Sequence, residues 1–493
     1  MNRAILVYFF FFYSGFTFLG RLFYLQVIDD RYKLHAESNA IRKERVFAPR
    51  GSIYDRQGRL LVTNMPAYDL MIVPGQSKAF DTTQLAALID EELLKIRKRL
   101  KKAHRYSSYK PSIVIGQIES KAYARLQEWM HELPGMYVQK RLQRYYPYVG
   151  APNVVGYIGE VTERFAKENP SYSMGDLHGV SGIEKSYEDA LRGKSGVRYV
   201  MVDVHNRVQG SFRNGNYDTS AIAGSDLMAT IDIELQLLGE RLMKNKRGSI
   251  VAIEPSSGEI LALVSSPSFD PNLLVGRRRS ANYATLYADS LNKPLFDRAL
   301  LAEYPPGSPF KLINALIGLQ EEVITTRTSF TCHHGFHYRS LHVACHCGVN
   351  RPLQLLESIS KSCNNYYCNV FKRTIEKYPT AQEGMDNWAA HVRSFGLGNF
   401  LNNDLPTGRR GLVPSATYYD NAFGYTNWRA VSTISLGIGQ GELVLTPIQM
   451  ANVASAIANK GHFFTPHIVK HIGEKENERF LEPRYTSIDP EHF

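Results

Sequence analysis

Residues Ala4 to Gly20 contain no charged side chain and six phenylalanines, and no other stretch of the 493-residue chain is comparable. Continued to Ile28, this run gives about 25 helical residues, enough at ~1.5 Å per residue to cross a ~30 Å hydrocarbon layer. A cleaved export signal is the competing reading. It needs a small-x-small cleavage site after the apolar stretch, and Arg21-Leu-Phe-Tyr-Leu-Gln26 offers none. A buried core helix is the third, at odds with so aromatic a segment at the extreme N-terminus. The expectation is an uncleaved transmembrane helix over residues 1–30. Charge alone does not orient it. Only Arg3 precedes the run, while Arg21, Arg31, Lys33, Arg42, Lys43 and Arg45 follow it, and the positive-inside bias weakens for long translocated domains.

The remainder has an ordinary globular composition, 44% hydrophobic and 21% charged, so disordered, collagen-like and polytopic membrane classes are excluded. Five cysteines are too few for a disulfide-dense scaffold. The net charge is +11, and seven cations, Lys95, Arg97, Lys98, Arg99, Lys101, Lys102 and Arg105, fall together. A nucleic-acid arm would interleave aromatics or carry a binding motif. Neither is present, so the cluster reads as a solvated helix end and no nucleic-acid partner is expected. The helix expected there runs from Thr82 to Lys102, with Asp81 or Thr82 as N-cap. Residues 214–227 read as a connection. Beyond them come a strand from Asp226, a helix to Lys244, and two strands from Gly248 joined by the turn Pro255–Gly258, an α+β pattern.

Ser-x-x-Lys occurs at Ser107/Lys110, Ser290/Lys293, Ser308/Lys311 and Ser358/Lys361. Only Ser308 lies between Gly307 and Pro309, a pair that brackets a helix start. There the helix dipole favours a developing negative charge. Lys311, one turn on, shares its face and can reach the hydroxyl; in a poorly hydrated cleft its amine can take the serine proton. A serine N-cap beside a surface lysine is the alternative from spacing alone. Ser362-Cys363-Asn364 follows a helical stretch downstream. Its serine can relay a proton and its asparagine amide can hold a substrate backbone, so the two motifs in this order form a strong signal.

The stretches Asn292-Lys-Pro-Leu-Phe-Asp-Arg-Ala-Leu-Leu-Ala-Glu-Tyr-Pro-Pro-Gly-Ser-Pro-Phe-Lys311 and Leu436-Gly-Ile-Gly-Gln-Gly-Glu-Leu-Val-Leu-Thr-Pro-Ile-Gln-Met-Ala451 resemble the active-site segments of class B penicillin-binding proteins, in particular the elongation type. Pro49-Arg-Gly-Ser-Ile-Tyr-Asp-Arg56, Arg144-Tyr-Tyr-Pro-Tyr148, Gly179-Val-Ser-Gly-Ile-Glu-Lys-Ser-Tyr187 and Leu191-Arg-Gly193 resemble that family's pedestal signatures. The resemblance implies an anchor at 1–30, an elongated mixed pedestal at 31–225, and a transpeptidase domain at 226–493 with an antiparallel sheet and flanking helices. It implies D,D-transpeptidation of peptidoglycan stem peptides through an acyl-Ser308. Lys311 would be the base, Ser362 and Asn364 the relay and cradle, and β-lactams would acylate the same serine. The body would be periplasmic on the cytoplasmic (inner) membrane, working with a polytopic glycosyltransferase and other elongation-complex proteins. No cofactor is required. A non-catalytic scaffold for the glycosyltransferase, and a β-lactam sensor or serine β-lactamase, are the alternative readings.

The family also carries a Lys-Thr/Ser-Gly strand that binds the substrate carboxylate and supplies a second oxyanion donor. Here the tripeptide occurs only at Lys194-Ser195-Gly196, inside the pedestal signature, and is not read as catalytic. The transpeptidase domain is therefore expected to be incomplete at its C-terminus, by truncation or degeneracy. Since losing one oxyanion donor costs ~10²–10³ in rate, the chain is expected to acylate poorly or not at all. All five cysteines, Cys332, Cys345, Cys347, Cys363 and Cys368, fall around the second motif among several histidines. A structural zinc ion at Cys332, Cys345, Cys347 and His346 is one reading, a disulfide another, and free thiols a third. Cys363 reads as a packing residue.

Overall fold

The computed structural model describes residues 3–24, 41–172, 176–202, 208–425 and 427–493. The aromatic run forms the helix Arg3–Phe23, and Phe9–Phe12, Phe16, Phe18 and Leu19 are 66–81% exposed, so apolar side chains face outward on several sides. Among the described residues no helix is long and apolar enough to cross a membrane. Tyr13, Ser14, Gly15, Thr17 and Gly20 dilute the apolar run. The continuation to Ile28 lies outside the described residues.

The chain forms two compact units. One comprises Met1–Arg50, Met65–Gln143 and Arg192–Gly224; the other Gly51–Asn64, Arg144–Leu191 and Ser225–Phe493. In the first, the strand Ser112–Ile118 pairs antiparallel with residues 68–72 of the strand Leu60–Ile72. Helices Thr82–Ile89, Leu93–Tyr106 and Ser120–Trp129 bury Leu85, Ile89, Ile96 and Leu126 in the same core as Leu70, Ile72, Val114 and Ile115. The single helix expected from Thr82 to Lys102 is two. Asp81 caps the first by accepting from the Thr83 N–H at 2.7 Å, and Asp90 ends it in the left-handed region at φ 51°. On the second helix Lys95 pairs with Glu92 at 3.0 Å and Arg99 with Glu91 at 3.6 Å, in keeping with a solvated basic face.

In the second unit, Leu227–Ala229 lies parallel to Ile53–Tyr54 and antiparallel to Val469–Ile472. The hairpin Gly248–Ile253/Ile260–Ser266 forms as expected and packs under the helix Ile233–Leu242. Gly239 permits that approach, because a Cβ there would stand 2.8 Å from Val264 Cγ2. Motifs far apart in sequence meet at Arg144. Its buried guanidinium donates to Glu184 Oε1 at 2.7 Å, Asn64 Oδ1 at 3.1 Å and the Gly51 carbonyl at 2.8 Å. Partners 40, 80 and 93 residues away in sequence thus share one cation. The largest core surrounds the helices Lys311–Gln320, Asn364–Glu376 and Ala381–Ser394. It is built on Phe310, Ile313, Ile317, Tyr366, Tyr367, Phe371 and Trp388, all fully buried.

Removing one partner of a buried ion pair strands the other. Glu184→Ala is therefore expected to lower unfolding free energy by ~3–5 kcal/mol, read as a drop in the urea midpoint. Replacing both Arg144 and Glu184 with apolar residues of similar volume is expected to recover part of that loss.

Candidate active site

Gly307 adopts φ 64° and ψ −149°, a backbone open to glycine and strained for any other residue. Its N–H donates to the Gly439 carbonyl at 2.8 Å. A short 3₁₀ turn, Ser308–Phe310, follows and leads directly into the helix Lys311–Gln320, with Pro309 inside the first turn as the sequence indicated. Ser308 is thereby left exposed while Phe310 is fully buried, which fixes the turn on the core.

Lys311 is only 3% exposed. Its Nζ donates to the Ser362 carbonyl at 2.7 Å, Ser362 Oγ at 3.0 Å and Asn364 Oδ1 at 2.7 Å. It also lies 5.8 Å from the centre of the Tyr367 ring. Ser362 Oγ in turn donates to Ser308 Oγ at 3.0 Å. All four sequence-predicted residues come together, with one difference. The contact expected between Lys311 and Ser308 runs through Ser362. Burial pulls the Lys311 amine below its ordinary value, and the nearby cysteine sulfurs offset this only in part.

The second motif is held in an unusual backbone. Ser362 has φ 51°. The preceding helix Leu355–Ser360 closes with Ser362 N–H donating to the Ile359 carbonyl at 3.0 Å and Cys363 N–H to the Ser358 carbonyl at 2.9 Å. Asn364 starts the next helix. Its Nδ2 donates to the Ala344 carbonyl at 2.8 Å and its Oδ1 accepts from Lys311, so both ends of the amide are engaged.

The other Ser-x-x-Lys pairs are accounted for locally. Ser107 Oγ accepts from the Lys110 N–H at 3.1 Å, Lys293 sits in a turn at φ 44°, and buried Ser358 donates to the Leu355 carbonyl at 2.7 Å. In Lys194-Ser195-Gly196, Lys194 bridges Ile222 through its backbone and Ser195 Oγ accepts from Arg45 at 3.2 Å, within the first compact unit.

The sulfurs of Cys332, Cys345, Cys347 and Cys363 all lie within 4.8 Å of one another. Cys347 and Cys332 are 3.5 Å apart, Cys345 and Cys363 3.8 Å, and all five cysteines are free thiols. Expected edges of a tetrahedral zinc–thiolate site are ~3.8 Å, from Zn–S bonds of ~2.3 Å. Of the four residues named from sequence, Cys332, Cys345 and Cys347 come together. His346 is exposed and the fourth sulfur is Cys363, read from sequence as a packing residue. The sequence hides the part of Cys363 in this cluster, because the residue lies inside the Ser-x-Asn motif. Burial tends to raise the Cys345 thiol, but backbone N–H donors outweigh it and bring it to about 7, while burial pushes Cys332 up to about 12.

Residues 45–229 match the penicillin-binding protein dimerisation domain and residues 248–492 the penicillin-binding protein transpeptidase domain. The chain is 31% identical over 467 residues to the peptidoglycan D,D-transpeptidase MrdA of Acinetobacter baumannii, covering 92% of this chain and 66% of that protein. It is 30% identical to the Salmonella typhimurium MrdA over 89% of this chain and 70% of that one. The chain thus spans about two thirds of the length of these relatives. A solved Helicobacter pylori penicillin-binding protein (PBP2) in complex with MreC shares the fold, with a TM-score of 0.71 at 24% identity over 91% of this chain and 80% of that chain. A chain in a structure of a peptidoglycan synthase complex aligns with a TM-score of 0.67 at 27% identity, over 99% of this chain and 82% of that one. With two domain families in series and relatives that match along nearly all of its length, the chain belongs to the class B penicillin-binding proteins of the MrdA type.

Proposed function

We propose that the chain is a peptidoglycan D,D-transpeptidase in which Ser308 is acylated by a stem peptide. The observation that carries this is the hydrogen-bonded line from Lys311 Nζ through Ser362 Oγ to Ser308 Oγ. With the amine neutral, the Ser308 proton passes to Ser362 while the Ser362 proton passes to Lys311. Ser308 Oγ then bonds to the carbonyl carbon of the penultimate D-Ala, whose oxygen takes the negative charge near the Ser308 N–H. Collapse breaks the peptide bond, and the leaving D-Ala amine takes the proton back through Ser362. A neighbouring stem amine attacks the ester and regenerates Ser308. Asn364, with both ends of its amide engaged, fixes the Lys311 amine in this reading. β-Lactams acylate the same serine.

The exposed apolar surface of Arg3–Phe23 supports a single-pass anchor in the inner membrane with the body in the periplasm, where stem peptides are found. The relatives' assemblies support partners in wall elongation: a polytopic glycosyltransferase and proteins of the elongation complex. In this reading residues 31–225 form the pedestal and 226–493 carry the transpeptidase chemistry. The four-sulfur cluster supports a structural Zn²⁺ held by Cys332, Cys345, Cys347 and Cys363. It would tie the hairpin Gly335–Tyr338/Leu341–Ala344 to the second motif.

A fluorescent penicillin is expected to label the purified chain at one residue; labelling that survives Ser308→Ala overturns the assignment. Lys311→Ala is expected to slow acylation by ~10²–10⁴-fold. Because protonated Lys311 cannot accept a proton, acylation is expected to be lost as pH falls through the depressed lysine pKa. The midpoint of the rate–pH curve should lie below the ordinary lysine value of 10.5. Metal analysis is expected to find about one zinc per chain, lost in Cys363→Ser and retained in His346→Ala. A metal-free protein with fewer than five titratable thiols would favour the disulfide instead.

A further inference from the structure

Asn314 lies three residues beyond Lys311 on the same helix and is 2% exposed. Asparagine is a poor helix former and expensive to bury unsatisfied, so its three bonds explain its presence. Nδ2 donates to the Leu436 carbonyl at 3.2 Å and the Gly437 carbonyl at 2.9 Å, and Oδ1 accepts from Trp388 Nε1 at 2.8 Å. This set fixes the amide orientation. Only the NH₂ end can face two carbonyls, and only the oxygen can face an indole N–H.

The two carbonyls belong to the segment Leu436-Gly-Ile-Gly-Gln-Gly441. Two residues past Gly437, the Gly439 carbonyl accepts from the Gly307 N–H. A Cβ at Gly439 would stand 2.3 Å from the Gly307 carbonyl oxygen and 2.7 Å from Phe310 Cβ. A Cβ at Gly437 would stand 2.8 Å from the Tyr367 carbonyl oxygen and 2.9 Å from Phe371 Cβ. The segment is therefore wedged between the turn bearing Ser308 and the helix Asn364–Glu376. Trp388 closes the arrangement from the other side, its ring edge-on to Phe310 at 6.1 Å and Phe371 at 5.4 Å.

We propose that the Asn314–Trp388 pair is a positioning device: by clamping Leu436 and Gly437 it sets Gly439 against Gly307, and so sets Ser308 Oγ relative to Ser362 Oγ. Neither residue touches the reacting atoms. The inference rests on the reading of Ser308 as the nucleophile. A nucleophile displaced by ~1 Å loses up to ~10² in rate, so the effect belongs in the bond-making step and not in ligand affinity.

Asn314→Leu keeps the number and branching of heavy atoms and removes the bonds, and Trp388→Phe removes one N–H while leaving an aromatic ring against Phe310 and Phe371. At saturating fluorescent penicillin, Asn314→Leu is expected to lower the acylation rate constant about tenfold and Trp388→Phe several-fold, with the half-saturating concentration unchanged. The double variant is expected to be no slower than Asn314→Leu, since the shared bond is already lost. Rate constants within about twofold of wild type in folded variants, or a loss confined to half-saturation, would overturn the proposal. Should Asn314→Leu fail to fold, Trp388→Phe decides. If the wild-type chain itself is not acylated at Ser308, the functional reading fails. The positioning claim is then read from hydrogen exchange at the Gly307 amide, expected to accelerate in Trp388→Phe; unchanged exchange there overturns it.

Discussion

A lysine amine removed from water must find acceptors, and Lys311 finds three within three consecutive residues of the second motif. That single requirement ties the helix Lys311–Gln320 to the start of the helix Asn364–Glu376, across more than fifty residues of chain. A drift of either helix would leave the amine without its partners, at a cost above that of any one surface contact. Everything else at the site is arranged around this bond set. Ser362 accepts a left-handed backbone to present both its carbonyl and its hydroxyl to one nitrogen. Asn364 spends its amide on Lys311 and Ala344, and through Ala344 brings the hairpin flanked by Cys332 and Cys345 to the motif.

The same logic explains the sulfur cluster. Cys363 lies between Ser362 and Asn364, and Asn364 N–H also donates to Cys345 Sγ at 3.2 Å. Four half-buried or buried sulfurs converge beside the motif, while Ser308 and Ser362 are exposed. Their unequal acidity has a local origin. Cys345 receives backbone N–H donors that stabilise a thiolate, and Cys332 is governed by desolvation. A cation bound there would stiffen the backbone from beneath without occupying the reaction path.

Much of this was legible in the sequence, and the failures share a cause. Gly307, Ser308, Pro309 and Lys311 could be read together because their relation is local: a turn, a helix start, one turn of helix. The hairpin at Gly248–Ser266 was legible for the same reason. Asp90 breaks the expected Thr82–Lys102 helix because its left-handed geometry closes the Ala86 carbonyl, a capping choice that apolar periodicity does not register. The intervening role of Ser362 between Lys311 and Ser308, the substitution of Cys363 for His346, and the meeting of Gly51, Asn64 and Glu184 on Arg144 are long-range contacts. Spacing alone contains no distance between residues 308 and 362. Family resemblance supplied the order of these motifs, but which atoms touch came only from the fold.

Ser308 and Ser362 pose a common problem, since both are exposed and neither hydroxyl can be fixed by packing on all sides. Their placement must come from neighbours. For Ser308 these are Gly307, pressed against Gly439, and Phe310, fully buried beside Trp388. For Ser362 they are Cys363, fully buried, and the Ser358 carbonyl that receives its N–H. Each of the two serines is thus within two residues of a buried side chain, Phe310 or Cys363. In the transpeptidase reading proposed above, this separates two demands that would otherwise conflict: access for the substrate and sub-ångström placement of the attacking oxygen. It also explains why two deeply buried polar groups near the site, Asn314 and Lys311, bond to backbone carbonyls as much as to side chains. Holding the backbone is the only way to hold a serine that must remain in water.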